Sequence, residues 1–487
     1  MKNFAVFKNA TMGHEESIPI LNIGEWRSRI VDACSDHSAR IISMFGDRKS
    51  ASTIRLFCVL ASDLKGELLV SATDITDGSY PSLTVNLTEA HLFERELYED
   101  LGVLPQGHPW LKPVRATQKH SFYSIKGDAI HEVAVGPVHA GVIEPGHFRF
   151  LCHGEKVFNL EIMLGYQRRG IEELIVSASP LKRMVLAESI AGDSVISHGL
   201  CYCHAIEGLA MRKISHRARA IRGIALEIER IANHIGDLGA LANDVGFLPV
   251  ASYFGAIRAD FLNLLMELCG NRFGRSLLCP GGLRFDLTRE METTFRVQIE
   301  KSMQKVNDVL DIMFSTSSVL ARLDNTGVVT QDIAKKTGMV GVAARACNLM
   351  RDARANHPSG IYRSKKTVIA RASSGDVFAR ARVRALEIKK SHELIGEFLN
   401  KLPTEKVCFS INALNPSAMV ISLVEGFRGE TVHIARTNAH AGIFQYKIVD
   451  PSFHNWTGLE MALRDGQISD FPLCNKSFNL SYAGHDL

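Results

Sequence analysis

A chain of 487 residues is too long for one ordinary hydrophobic core, so two or three domains are expected. With 46% hydrophobic and 22% charged residues it is not a disordered chain, and a formal charge of +4 on interleaved acids and bases leaves no nucleic-acid footprint. No window approaches the ~18 apolar residues of a membrane span, and the first twenty residues lack a signal-peptide core, so a cytoplasmic protein is expected.

The expected fold class is α+β. Residues 25–46 read as an amphipathic helix, followed by two alternating runs, Thr53–Ser62 and Gly66–Ile75, joined by hairpin chemistry at Asp63–Gly66. A second helix is expected around Ala90–Leu101, closed by Gly107, Pro109 and Pro113. This gives a small α+β domain over 1–115, a linker over 116–133, and a mostly helical domain with small peripheral sheets over 134–487. In the last, a strand-like run over 147–164 leads into helical stretches near 171–213, 217–244, 253–271, 286–322, 331–351 and 376–401. Ile221, Ile224, Ala225, Ile228 and Ile231 illustrate their apolar spacing. Strands are expected again at 407–414, 419–427, 431–437 and 442–449. The basic stretch Arg212–Arg222 runs into apolar helical positions and reads as a solvated or partner-facing helix side. Ten cysteines are scattered without a Cys-x-x-Cys pair, which argues against a zinc ribbon, a ferredoxin-type cluster or a thioredoxin motif.

Several unusual strings occur in one order. Glu94-Arg95-Glu96, Tyr98–Gly102 and Gly107-His108-Pro109 resemble the signature of the 30-kDa subunit of complex I. Gly136–His139, Glu144–His147, Gly154-Glu155, Gly165–Glu172, Glu227–Gly236, Pro280-Gly281-Gly282 and Asp450–Trp456 resemble the 49-kDa subunit and its hydrogenase relatives. Both modules in one polypeptide are similar to the fused large subunit of formate hydrogenlyase and other group 4 nickel–iron hydrogenases.

Those hydrogenases hold nickel and iron with four thiolates from two Cys-x-x-Cys pairs, the soft charged ligands such metals prefer. The resemblance places the first pair on Ala191 and Ser194 and the second on Ser481 and Gly484. None is a cysteine, so no nickel–iron centre is expected, and the chain is expected to bind no cofactor of its own. Cys201 and Cys203 do not replace the ligands: two residues apart on a helix, they point about 200° away from each other and read as packing thiols.

Complex I uses the equivalent cavity for a quinone head group. Here Ile143 falls where that family carries its quinone-contacting His, and Gly192 where it carries its Tyr. His139 is a candidate for part of that role, or a hydrogen-bonded structural residue. By the same resemblance Arg169 sits beside the terminal iron–sulfur cluster of a partner, or else pairs with Glu172 or Glu173. Glu172 matches a proton-transferring carboxylate, and Asp244 an Asp that supports the quinone site. His198 and Glu207, about two and a half turns apart on one helix, could extend a proton path. For each, a satisfied buried polar group is the alternative.

The resemblance implies a small iron–sulfur subunit, a ferredoxin-like subunit and antiporter-like membrane subunits as partners, with the chain peripheral on the cytoplasmic face of the inner membrane. The resemblance also implies that NAD would bind to a different subunit, and no Gly-x-Gly-x-x-Gly follows a strand here. Three readings follow: passage of electrons to quinone or another small acceptor, a redox-silent coupling scaffold, and an active hydrogenase. A cavity filled by side chains favours the scaffold, an open one favours chemistry, and nickel in the purified protein would mark a hydrogenase.

Overall fold

The computed structural model describes residues 3–35, 38–115, 120–127, 129–141, 143–400 and 402–487. Positions 116–119 and 128 of the expected linker lie outside the described residues. The N-terminal unit contains β1 (Ala5–Phe7), β2 (Thr11–His14), β3 (Ile20–Leu21), α1 (Ile23–Ser35), β4 (Arg40–Arg48), β5 (Ile54–Ser62), β6 (Glu67–Ile75), β7 (Ser79–Pro81), α2 (His91–Leu101) and β8 (Leu104–Gln106). Its main sheet runs β1-β6-β5-β4, with β3 paired parallel to β6. The helix expected over 25–46 therefore stops at Ser35, and its second half is a strand. Ile41, Ile42, Met44 and Phe45 are all buried, on both faces of β4, which a one-sided helix stripe does not do. The expected 63–66 hairpin forms, with Gly66 at φ +62°.

Next come β9 (Ile130–Val135), β10 (His147–His153) and β11 (Lys156–Met163), an antiparallel sheet ordered β11-β10-β9. Then follow α3 (Ile171–Ser177), α4 (Pro180–Ala187), α5 (Val195–Leu209), α6 (His216–Asp244) and α7 (Leu248–Cys269). The stretch expected as helical over 171–213 is thus three helices. Pro180 opens a new one at its first turn, where a missing N–H does no harm. The β12 (Leu278–Cys279) and β13 (Gly282–Leu283) hairpin precedes α8 (Arg289–Ser315), α9 (Ser317–Leu323), α10 (Gln331–Lys336), α11 (Gly341–Ala346), α12 (Ala353–Asn356) and α13 (Val377–Asn400). Residues 407–414, expected as a strand, join no sheet. They run past the hairpin instead, with Phe409 N–H donating to Gly281 O at 3.0 Å and Leu283 N–H to Val407 O at 3.0 Å.

The chain closes with β14 (Ala418–Glu425), β15 (Glu430–Thr437), β16 (Ile443–Val449), α14 (Pro451–Leu463), α15 (Phe471–Phe478) and α16 (Tyr482–Asp486). Its sheet is ordered β16-β15-β14-β2, so residues 11–14 from the chain's start complete it. One face (Met419, Ile421, Leu423, Val432, Ile434) packs into the N-terminal core. The other (Ala418, Val420, Ala435, Ile448) packs into the helical core. Burial on both faces explains why these strands read as unbroken apolar runs.

Under that sheet, α6 carries a fully buried charge network. Glu227 takes Arg354 at 3.1 Å and hydrogen bonds from the Tyr362 and Ser391 hydroxyls at 2.5 Å each. Arg345 reaches Glu387 at 2.8 Å and Glu425 at 2.6 Å, and Arg230 pairs with both Glu227 and Glu387. The basic stretch over 212–222 is likewise less solvated than expected. Arg222 is buried against Glu207 at 2.6 Å, and Arg217 meets Asp286 at 2.7 Å.

Candidate functional site

The two segments that the resemblance assigns to metal ligands lie far apart in sequence and are brought together by two arginines. Arg169, on the left-handed approach to α3, donates to the carbonyls of Ser189 (2.6 Å), Ile190 (2.8 Å) and Ala483 (3.0 Å). Arg428, from the β14–β15 turn, forks onto both carboxylate oxygens of Asp193 at 2.6 and 2.8 Å. It also reaches Ser194 Oγ at 3.1 Å and the carbonyl of Asn479 at 2.5 Å. One guanidinium thus ties each flank of the 189–194 loop to the 479–484 loop.

Ala191, Ser194, Ser481 and Gly484 are all buried in the join. Ser481 caps α16, its hydroxyl accepting from Gly484 N–H at 2.9 Å while its own N–H donates to Ser452 Oγ at 2.8 Å. A Cβ on Gly484 would lie 2.6 Å from Asp450 Oδ2, so that carboxylate occupies the room a side chain at 484 needs. This donor set does not fit nickel and iron: no sulfur stands at any of the four positions, and both hydroxyls already serve other partners. Among the described residues no group of three or more His, Cys, Asp or Glu is arranged to hold a metal ion. Gly484→Cys is expected to destabilise the chain by about 1–3 kcal/mol through overpacking. Asp450→Ala should itself destabilise by uncapping α14 and leaving His198 Nε2 without its acceptor. The double mutant should nevertheless lose less than the two single losses added together, as a urea-unfolding double-mutant cycle would show.

The candidate residues separate into groups. Glu172, in the first turn of α3, accepts from Ile448 N–H at 2.8 Å and from Lys447 Nζ at 3.2 Å. Burial pushes its carboxyl up, against the pull of Lys447. Lys447 also holds Glu96 at 2.6 Å. Burial works to raise Glu96 too, but Arg115 and Lys447 bring it down to about 2. Glu172, Glu96, Asp100, Lys447 and Tyr446 line one cleft of about 200 Å³.

Arg169 binds carbonyls, so neither of its expected ion pairs, with Glu172 or Glu173, forms. His139 Nε2 lies 2.8 Å from Gly146 O and closes its own loop, the structural alternative. Asp244 pairs with Lys476 at 3.2 Å. His198 and Glu207 do not share a path: Glu207 turns to Arg222, and His198 to Asp450 and His433. Cys201 Sγ lies against the Ser422 carbonyl and Cys203 Sγ against Met184 Sδ, on opposite sides of α5.

Four residues that build this site escaped the sequence reading: Asp193, Arg428, His433 and Asp450. Asp450 stood inside a recognised string, but nothing in linear spacing pairs it with a histidine 252 positions away.

With that geometry established, comparison with known proteins adds relationship. Residues 29–124 match the family described as respiratory-chain NADH dehydrogenase, 30 Kd subunit, and residues 244–415 the 49 Kd subunit family. Over 442 residues the chain is 26% identical to formate hydrogenlyase subunit 5 of Escherichia coli, covering 85% of this chain and 78% of that protein. It is 28% identical over 355 residues to the alpha subunit of the membrane-bound hydrogenase of Pyrococcus furiosus (70% and 83% covered). It is 26% identical over 319 residues to an NADH-quinone oxidoreductase subunit of Solibacter usitatus (65% and 86% covered). No helix among the described residues is long and apolar enough to cross a membrane.

Proposed function

Because the chain joins a segment of the complex I 30-kDa kind to one of the 49-kDa kind and is homologous to hydrogenase and NADH-quinone oxidoreductase subunits, we propose that it is the large subunit of a membrane-associated oxidoreductase complex working without a nickel–iron centre. The observation that carries this reading is Asp450, whose carboxylate stands where the fourth ligand's side chain would be. A carboxylate, a buried Ser–Gly turn and an Arg–Asp fork replace a soft-ligand cage.

In this reading the N-terminal unit over 1–115 and the larger one over 134–487 keep the roles of the two complex I subunits. Electrons arrive through iron–sulfur clusters of a docked small subunit, fed by a ferredoxin-like subunit, and leave to quinone or another small acceptor. Ion translocation by antiporter-like membrane subunits is coupled to that transfer, with the chain on the cytoplasmic face. Glu172, His198 and Asp244 handle protons. Arg169 holds the two loops at a fixed positive charge, and His139 shapes the loop that precedes β10. The raised Glu172 carboxyl supports this assignment, since a carboxyl moved toward neutrality exchanges protons more readily at working pH.

The test uses the complex purified with its partners. Its clusters are reduced, a short-chain quinone is added, and cluster reoxidation is followed optically while nickel is measured in the same sample. Quinone-dependent reoxidation with nickel far below one per chain is expected. Stoichiometric nickel would falsify the proposal outright.

A second reading, the redox-silent coupling scaffold, is favoured by a specific observation: the Asp450 carboxylate fills the space beside Gly484, and Arg428 bridges Asp193 and Ser194 to the opposite loop. Reducible clusters that no quinone reoxidises would select it.

A further inference from the structure

Behind the join, four buried side chains form one unbroken hydrogen-bonded row. Tyr446 OH lies 2.8 Å from His433 Nδ1, His433 Nε2 lies 3.1 Å from His198 Nδ1, and His198 Nε2 lies 3.0 Å from Asp450 Oδ2. They come from β16, β15, α5 and the N-cap of α14, and each is 3% exposed or less. Tyr446 also lines the cleft that holds Glu172 and Lys447. Asp450 ends the row against Gly484. We propose that this row is a one-proton relay, carrying a proton from the acidic cleft to Asp450 in the space where the related enzymes hold a metal.

Hydrogen-bond bookkeeping gives the row a direction. Among the described residues the hydrogen-bond partner of the Tyr446 hydroxyl is His433 Nδ1, so a buried phenol must donate there to avoid an orphaned O–H. Nδ1 of His433 is then an acceptor, and its one proton sits on Nε2, donated to His198 Nδ1. His198 in turn carries its proton on Nε2 and donates to Asp450. Every hydrogen points toward the carboxylate. Burial keeps His433 uncharged. Burial works to raise Asp450, but the hydrogen bond from His198 and the charge of Arg428 hold it below the usual range. At rest it is therefore a carboxylate that accepts the last hydrogen bond of the row and takes a proton only when its affinity is raised.

The groups facing the row from neighbouring elements are Arg428, with its partner Asp193, and His454 at the Asp450 end. Tyr202, Cys201, Cys203 and Arg183 surround Tyr446. None of them intercepts a bond of the row.

Transfer is a concerted shift. The Tyr446 O–H bond breaks as His433 Nδ1–H forms, His433 Nε2–H breaks as His198 Nδ1–H forms, and His198 Nε2–H breaks as an Asp450 O–H forms. The Tyr446 oxygen takes its replacement proton from water admitted through the cleft that Tyr446 lines. One proton has entered and one negative charge at Asp450 is neutralised. The row then points the other way, so a second proton waits until the first has left Asp450. That makes it a store for one proton rather than a conducting channel. An electron arriving nearby would raise the affinity of Asp450 for that proton and so call it in.

Two measurements test this. The first needs only the full chain. With ¹⁵N-labelled histidine, His198 and His433 are expected as neutral Nε2–H tautomers, assigned by comparison with His198→Gln and His433→Gln. An Nδ1–H tautomer or a charged ring at either position overturns the direction. The second rests on the docked iron–sulfur partner of the proposed function and uses the assembled complex with no electron acceptor. Clusters are reduced in a stopped flow, and proton uptake is read with an indicator dye while cluster bleaching reports electron arrival. About one proton per chain is expected, with uptake in Tyr446→Phe about a hundredfold slower at an unchanged bleaching rate. Uptake as fast in Tyr446→Phe as in the parent, or no uptake despite bleaching, overturns the relay. A failure of the acceptor reading would show instead in quinone reoxidation, which this assay does not include.

Discussion

Arg354→Met is expected to lower the unfolding free energy by about 3–5 kcal/mol, because it strips one cation from a fully buried network and leaves Asp352 and Glu227 facing each other. Arg354 bonds Asp352 at 2.7 Å through one nitrogen and Glu227 at 3.1 Å through another. Burial by itself would raise the Asp352 carboxyl, yet Arg354 and Arg345 hold it far below the usual range. The sign follows from that depression. Asp352 stabilises the fold above its unfolded pKa, and the stabilisation is lost as pH falls toward its folded one. In Arg354→Met that acid-side loss should shrink, which urea unfolding at several pH values would measure. Adding Asp352→Asn should restore part of the stability, since a balanced pair of deletions leaves less uncompensated charge. A loss under about 1 kcal/mol, the range of exposed pairs, would mean the cluster is hydrated.

Gly341→Ala is expected to cost about 3 kcal/mol or more, the sum of left-handed strain and overpacking. Gly341 has φ +64°, and a Cβ there would run into the Arg428 carbonyl and lie 2.5 Å from Gly429 Cα. Both obstacles are backbone and cannot swing aside. The same crossing aims the β14–β15 turn, so the substitution should also loosen the Arg428–Asp193 fork. Gly246→Ala serves as the control: φ is similar at +75°, but nothing lies within 4 Å of the added carbon. Its cost should be strain alone, about 1–2 kcal/mol. Equal losses at the two sites, measured in the same denaturant series, would refute the packing argument.

Much of the order of elements was legible because apolar periodicity is local. The period of α6, the alternation of β5 and β6 and the Asp63–Gly66 turn each declare themselves within a dozen residues. The departures share a cause. In β4, and in the 407–414 segment, burial is decided by what packs on each side, and an apolar run carries no label for that. The three helices inside 171–213 were hidden by continuous helix-compatible spacing, although Pro180 marked one break.

Linear order supplied the expectation that no soft-metal cage forms, because residues 191, 194, 481 and 484, where the resemblance places four thiolates, carry no sulfur. It also supplied the ordered strings that mark the relationship. Folding in three dimensions decided what stands there instead. A carboxylate at 450, an arginine at 428 and histidines at 198 and 433 are ordinary residues in the linear chain. They become one site because a sheet buried on both faces, packed against α5, closes more than two hundred residues of separation to hydrogen-bond distance. Pairing over such separations is set by packing, and no local spacing rule encodes it.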